Sequence, residues 1–151
     1  MPGRYLEEFA VGDRMTTADA VITEEMIVDF ARTYDPQPFH IDASAAKESI
    51  YGGIIASGFQ TLALGFRLVW DAGLFAGTSM GSPGFDELRW LKPVRPGDRL
   101  RVECEVKEAR PSSSKPDRGI VRIAYRYLNQ HDEAVLTFTS MHLIRRRPRS
   151  P

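Results

Sequence analysis

Apolar and polar residues alternate with a period of two through most of the second half of the chain. Leu100, Val102, Cys104 and Val106 alternate with Arg101, Glu103, Glu105 and Lys107, the pattern of a strand with one buried and one solvated face. Val121, Ile123, Tyr125 and Tyr127 repeat it, with Arg122 and Arg126 between them. Residues 129–133 read as a hairpin turn into a last strand over 135–144. Residues 85–91 read as an earlier strand, ended by Lys92-Pro93-Val94-Arg95-Pro96-Gly97-Asp98. Residues 111–118 hold two prolines and three serines and read as an exposed loop.

The first half follows a different period. After the turn Phe9-Ala10-Val11-Gly12-Asp13, a strand is predicted over 14–22. Thr23 can cap a helix whose first turn carries Glu24 and Glu25, and Met26, Ile27, Phe30 and Ala31 share one face of it. That helix must stop by Asp35, because Pro36 disfavours helical geometry in the residue before it. Pro36 and Pro38 predict a stiff, extended connection as far as His40. Asp42 can cap a short helix over Ala43–Glu48, and Gly52-Gly53 breaks the chain after it.

A longer helix is predicted from Ser57-Gly58 to about residue 72. Phe59, Leu62, Ala63, Leu64, Phe66, Leu68, Val69 and Trp70 cover nearly its whole circumference, so it is expected to lie buried in the core. One strand, early helices, a buried helix and then four strands give an α+β class. The economical packing is an antiparallel sheet curled around that helix.

The 151 residues fit one domain, 1–151, with no repeats; residues 145–151 read as a disordered basic tail. Twenty basic residues balance twenty acidic ones, which removes the electrostatic case for nucleic acid or a membrane surface as partner. The single cysteine, Cys104, allows no internal disulfide and agrees with a reducing compartment. The apolar stretch 54–74 contains Ser57, Gln60, Arg67 and Asp71, which suits a buried helix and not a membrane span. Arg4, Glu7 and Glu8 interrupt any apolar leader. A cytoplasmic protein is the expectation.

Of the three histidines, His131 falls in the predicted turn and His142 in the last strand, both structural places. His40 stands five residues after Asp35 on the proline-stiffened segment. A carboxylate and an imidazole held near each other can do acid–base chemistry. The same residues would equally serve as a turn cap and a backbone-bonded histidine. Asp35, His40 and Asp42 lack a further His or Cys at ligand spacing, so no metal is expected. Cys104, at an apolar strand position, reads as inert. The free amides at the start of the helix at Ser57-Gly58 suit a developing oxyanion, and Gly58 would let it approach; an ordinary serine N-cap is the alternative.

Tyr34-Asp35-Pro36-Gln37-Pro38-Phe39-His40-Ile41-Asp42 resembles the hydratase motif of the MaoC-like dehydratase and (R)-specific enoyl-CoA hydratase family. Gly52-Gly53-Ile54-Ile55-Ala56-Ser57-Gly58 resembles the family's approach to its central helix, and Pro93-Val94-Arg95-Pro96-Gly97-Asp98 its entry to the long strands. The blocks stand in the family's order along the whole chain. The resemblance implies a hot-dog fold, a homodimer or dimer of dimers, and water added to or removed from an enoyl- or 3-hydroxyacyl-CoA thioester in fatty acid metabolism. It implies no cofactor beyond the substrate's own CoA. It makes Asp35 the main base, His40 its partner and the Gly58 amide the oxyanion donor. Gln37, Ser57 and Phe59 are candidates for the pocket. Lys92 and Arg95, with Arg89, are candidates for the CoA phosphates. Gln37 stands where many members have Asn, and Ser57 where many have His, which leaves the substrate open.

Two other functions compete. A hot-dog thioesterase commonly carries its carboxylate on the central helix, where this chain has only Asp71, near the far end. A non-catalytic acyl-CoA-binding domain would have little need of both Asp35 and His40.

Overall fold

A computed structural model describes residues 3–151. The alternating segments form three long strands, β4 (Arg99–Pro111), β5 (Arg118–Leu128) and β6 (Ala134–Arg145). Before them come β1 (Arg14–Thr16), β2 (Ala20–Val21), α1 (Glu24–Tyr34), α2 (Pro38–Ile41), α3 (Ala43–Glu48), α4 (Gly58–Asp71) and β3 (Gly84–Trp90). The sheet is antiparallel and six-stranded in the order β1-β4-β5-β6-β3, with β2 also on β4. Its inner face is the apolar set read from the alternation: Val102, Val121, Ile123 and Tyr127 are fully buried. The outer face carries ion pairs such as Arg122–Asp86 and Arg101–Asp132. With α4 against the inner face, this is the hot-dog arrangement. No helix of the described residues is long and apolar enough to cross a membrane.

The local signals worked where a short-range hydrogen bond could satisfy them. The Thr23 hydroxyl accepts from Met26 N, and Asp42 Oδ1 accepts from Ser44 N and Ala45 N. The turn at 129–133 closes on the Asn129 side chain, whose oxygen accepts from His131 N and Glu133 N.

Three expectations need correction. The strand over 14–22 is two short strands with Thr17 between them. There the Thr17 hydroxyl accepts from Val102 N at 2.9 Å, so a side chain replaces one rung of the ladder. The basic tail is not free at its start: Arg145 ends β6, Arg146 and Arg147 pair with Glu7 and Glu8, and Arg146 N donates to Asp117 O.

The third correction concerns α4, which is not covered all round. Gln60, Thr61, Gly65 and Val69 are buried. Gly65 is bare where the Tyr127 ring sits, so that any Cβ there would strike the ring; Tyr127 Oη also donates to Leu62 O at 2.9 Å. One sheet covers only one side of a helix. Phe59, Phe66 and Trp70 on the other side are 61%, 39% and 44% exposed, continuous in character with exposed Phe85, Trp90 and Leu91 around β3.

Candidate active site

Pro36 ends α1 as expected. Asp35 leaves helical geometry at φ −154°, ψ 69°, while its N–H still donates to Ala31 O. The segment that follows is shorter in its extended part than predicted. Pro38 occupies the first helical position, where a missing N–H costs nothing and a fixed φ suits the turn, and it starts the single turn of α2. That turn carries His40 inward, where it is buried.

His40 Nδ1 lies 2.6 Å from Ile55 O. A carbonyl only accepts, so Nδ1 carries the hydrogen and Nε2 is the atom turned to Asp35, 3.2 Å from Oδ2. Two further donors hold the carboxylate. Gln37 Nε2 donates to Oδ1 at 2.7 Å, and Ser57 Oγ donates to Oδ2 at 2.7 Å. Burial pushes the Asp35 pKa up. The Gln37 and Ser57 hydrogen bonds and the neighbouring His40 outweigh it, leaving Asp35 below its ordinary carboxyl value.

Ser57 stands at the N-cap of α4, yet its side chain makes no cap bond; the hydroxyl is committed to Asp35. The first-turn amides of α4 therefore have no side-chain cap and keep the positive end of the helix open. Gly58, at the first position of α4, lines the same cleft as Asp35 and His40. The cleft measures about 560 Å³. Its floor is joined by backbone bonds from Ile55 N to Phe39 O and from Ala56 N to Val94 O. These bring the His40 turn, the start of α4 and the loop before β4 together.

Gln37, Phe59 and Lys92 line the cleft, and the Lys92 ammonium pairs with Glu133. Ser57 does not belong to the wall: it is wholly buried behind Asp35. Arg95 is likewise outside, its guanidinium donating to Tyr51 O at 2.7 Å. Arg89 is exposed and donates to Leu88 O. Residues missed by sequence reasoning include Phe39, Tyr51, Thr61, Trp90 and Leu91, all on the cleft. The adjacent Trp90-Leu91 at a strand end was the available signal. His142 and Cys104 lie elsewhere, on the inner sheet face. His142 Nε2 bonds Tyr125 Oη at 2.7 Å, and burial lowers its pKa to about 4. Burial pushes the Cys104 thiol up to about 12, so it holds no thiolate near neutrality.

Such a pair of acid–base groups beside open helix amides can protonate and deprotonate a polarised acyl group. Comparison with known proteins agrees in kind. The model of the MaoC like domain matches residues 8–124. The crystal structure of a MaoC-like dehydratase from Rhodospirillum rubrum is similar at 43% identity and a TM-score of 0.90, over 97% of this chain and 100% of that one. The (R)-hydratase PhaJ1 of Pseudomonas aeruginosa shares 27% identity at a TM-score of 0.78, over 97% and 93%. Mesaconyl-CoA hydratase of Cereibacter sphaeroides is 31% identical over 148 residues, 96% of this chain; the chain spans 42% of that protein's length. Sequence and fold together place this chain in the MaoC-like dehydratase domain family.

Proposed function

We propose that the protein hydrates an enoyl-CoA thioester, or dehydrates the corresponding 3-hydroxyacyl-CoA, as an (R)-specific enoyl-CoA hydratase does. The observation that carries this is the diversion of the Ser57 hydroxyl. One side chain leaves the α4 amides uncapped and at the same time holds the carboxylate that faces His40.

In the hydration direction the thioester oxygen accepts from Gly58 N–H, where negative charge develops as the enolate forms. Water sits against Asp35 and His40. Asp35, kept ionised by Gln37 and Ser57, takes a proton from the water as its oxygen bonds to the β-carbon. In the proposed cycle a proton passes between His40 Nε2 and Asp35 Oδ2, 3.2 Å apart. His40 delivers a proton to the α-carbon and recovers one through Asp35. The reaction balances as water added across one double bond, with no cofactor besides the CoA of the substrate. Lys92 at the rim serves the CoA phosphates after leaving Glu133.

The exposed strip of α4 and β3 supports a homodimer or dimer of dimers. The α4 carboxylate a thioesterase would use, Asp71, is instead bound to Arg67 at the far end of the helix. Purified protein should hydrate crotonyl-CoA, followed by loss of the enoyl absorbance. Asp35→Asn should lower kcat by roughly 10²–10⁴. Wild-type turnover in that variant, or release of free thiol with no hydration, sinks the reading.

A further inference from the structure

One wall of the cleft takes no part in water addition. Trp90 ends β3, and its indole lies against the bare face of Gly58: a Cβ on that glycine would collide with indole Cε2 and Nε1. The same ring meets Phe59 edge-on, 6.0 Å between centroids, and both rings line the cleft with Asp35 and His40.

The backbone is bent to put the indole there. β3 pairs with β6 through Phe85↔Ser140 and Asp86↔Thr139, then resumes at Arg89↔Thr137 and Trp90↔Leu136, with one extra residue on β3. Glu87 sits at that bulge with φ 55°, a left-handed conformation. In a regular strand Phe85 and Trp90 would point to opposite faces. With the bulge, both share the inner face of Ser140 and Leu136. Bulges beside active sites commonly re-aim a side chain, and here the side chain is an indole aimed into the cleft.

We infer that Trp90 is a specificity-determining residue, setting the acyl size this site accepts and restricting it to short chains. The inference rests on the hydratase reading, in which the thioester oxygen meets Gly58 N–H. An oxygen there puts the first acyl carbons beside the indole. The lining beside His40 is tied to the chemistry: Phe39 packs on His40 and on Tyr51, 4.5 and 5.2 Å between centroids, and Ile55 O holds the His40 ring. Phe39 cannot give way without disturbing the His40 ring it packs on, so we take the width of the cleft to be decided at Trp90.

The test is kcat/KM for butenoyl-, hexenoyl- and octenoyl-CoA in wild type, Trp90→Phe and Trp90→Leu. Ratios between substrates cancel any difference in the fraction of folded enzyme. Wild type should favour butenoyl-CoA. Each methylene newly buried raises relative kcat/KM roughly fourfold, so Trp90→Leu should raise the hexenoyl-to-butenoyl ratio about 15-fold, with Trp90→Phe between. A ratio unchanged in both variants, or a wild type that prefers octenoyl-CoA, overturns the inference. Calorimetric binding of butyryl- and hexanoyl-CoA reads the same selectivity without turnover. A protein that binds both and hydrates neither fails the hydratase reading while the binding ratios still decide Trp90. Binding of neither overturns both.

Discussion

Replacing Ser57 by alanine removes the single side-chain bond between the start of α4 and the Asp35 carboxylate. The hydroxyl is wholly buried and donates at 2.7 Å to Oδ2, the same oxygen that faces His40 Nε2 at 3.2 Å. A hydrogen bond to a charged group is worth about 1.5–3 kcal/mol, roughly 10- to 150-fold in an equilibrium. The loss falls on the ionised form of Asp35, because only the carboxylate accepts that bond at full strength.

The sign follows from the direction of the Asp35 shift. Its folded-state pKa lies below the ordinary value, so its interactions contribute stability above the unfolded pKa and lose it as pH falls through the folded one. Ser57→Ala should therefore destabilise the protein by about 1.5–3 kcal/mol at neutral pH, and by less as pH drops through the carboxyl range. The acid limb of kcat/KM for crotonyl-CoA should move to higher pH, since Asp35 now holds its proton more tightly. Ser57→Thr, which keeps a hydroxyl, should leave the acid limb at its wild-type position, and the packing cost of its added methyl should not vary with pH. Urea unfolding at several pH values and a pH–rate profile check this. An ordinary N-cap serine would cost about 0.5–2 kcal/mol independently of pH; that flat loss, with the acid limb unmoved, would refute the reasoning.

Burial lowers the His142 pKa from 6.5 to about 4, so the unfolded chain takes up the proton first, and stability declines from about pH 6.5 to pH 4 by about 3 kcal/mol. His142→Gln should show none of that decline in urea unfolding; the same pH dependence in both proteins would contradict a neutral buried imidazole. The exposed apolar side of α4 at Phe66 and Trp70 should be covered by a second copy in solution. Light scattering should show a dimer for wild type and a monomer for Phe66→Asp, and a monomeric wild type at micromolar concentration would exclude that cover.

What the sequence made legible was what short-range physics decides. The period-two runs named the buried residues of β4 and β5 one by one, because a strand offers its side chains no other choice of face. Thr23, Asp42 and Pro36 acted on backbone groups within three residues of themselves. Asp35 and His40 stood out because both lie on one short segment. Their spacing suited a turn cap and a backbone-bonded histidine equally well, and it was the resemblance to a known family that made them a pair. Even there a local rule misled. A second proline looked like more extension, whereas a proline at the first helical position starts a turn, and that turn is what faces His40 inward.

The unreadable part is where a side chain had a choice of distant partners. Ser57 could cap its own helix or reach Asp35, twenty-two residues away in sequence; the choice depends on α1 and α4 being brought together, which no window around Ser57 encodes. Arg95 could face a phosphate or a carbonyl, and the carbonyl of Tyr51 lies nearer once the loop before β4 has folded onto the cleft. The apolar circumference of α4 looked like the mark of a helix buried by its own sheet. Its excess over what one sheet can cover is the more informative quantity. Residues that stay apolar where this chain cannot cover them have another use, and here they divide two ways. Phe66 and Trp70 continue as a strip along the helix, whereas Phe59 turns with Trp90 to the rim of the cleft. The surface that would carry a second copy therefore begins at the wall that bounds the substrate, so acyl selectivity and assembly should respond together to changes in β3 and separately to changes at Phe66.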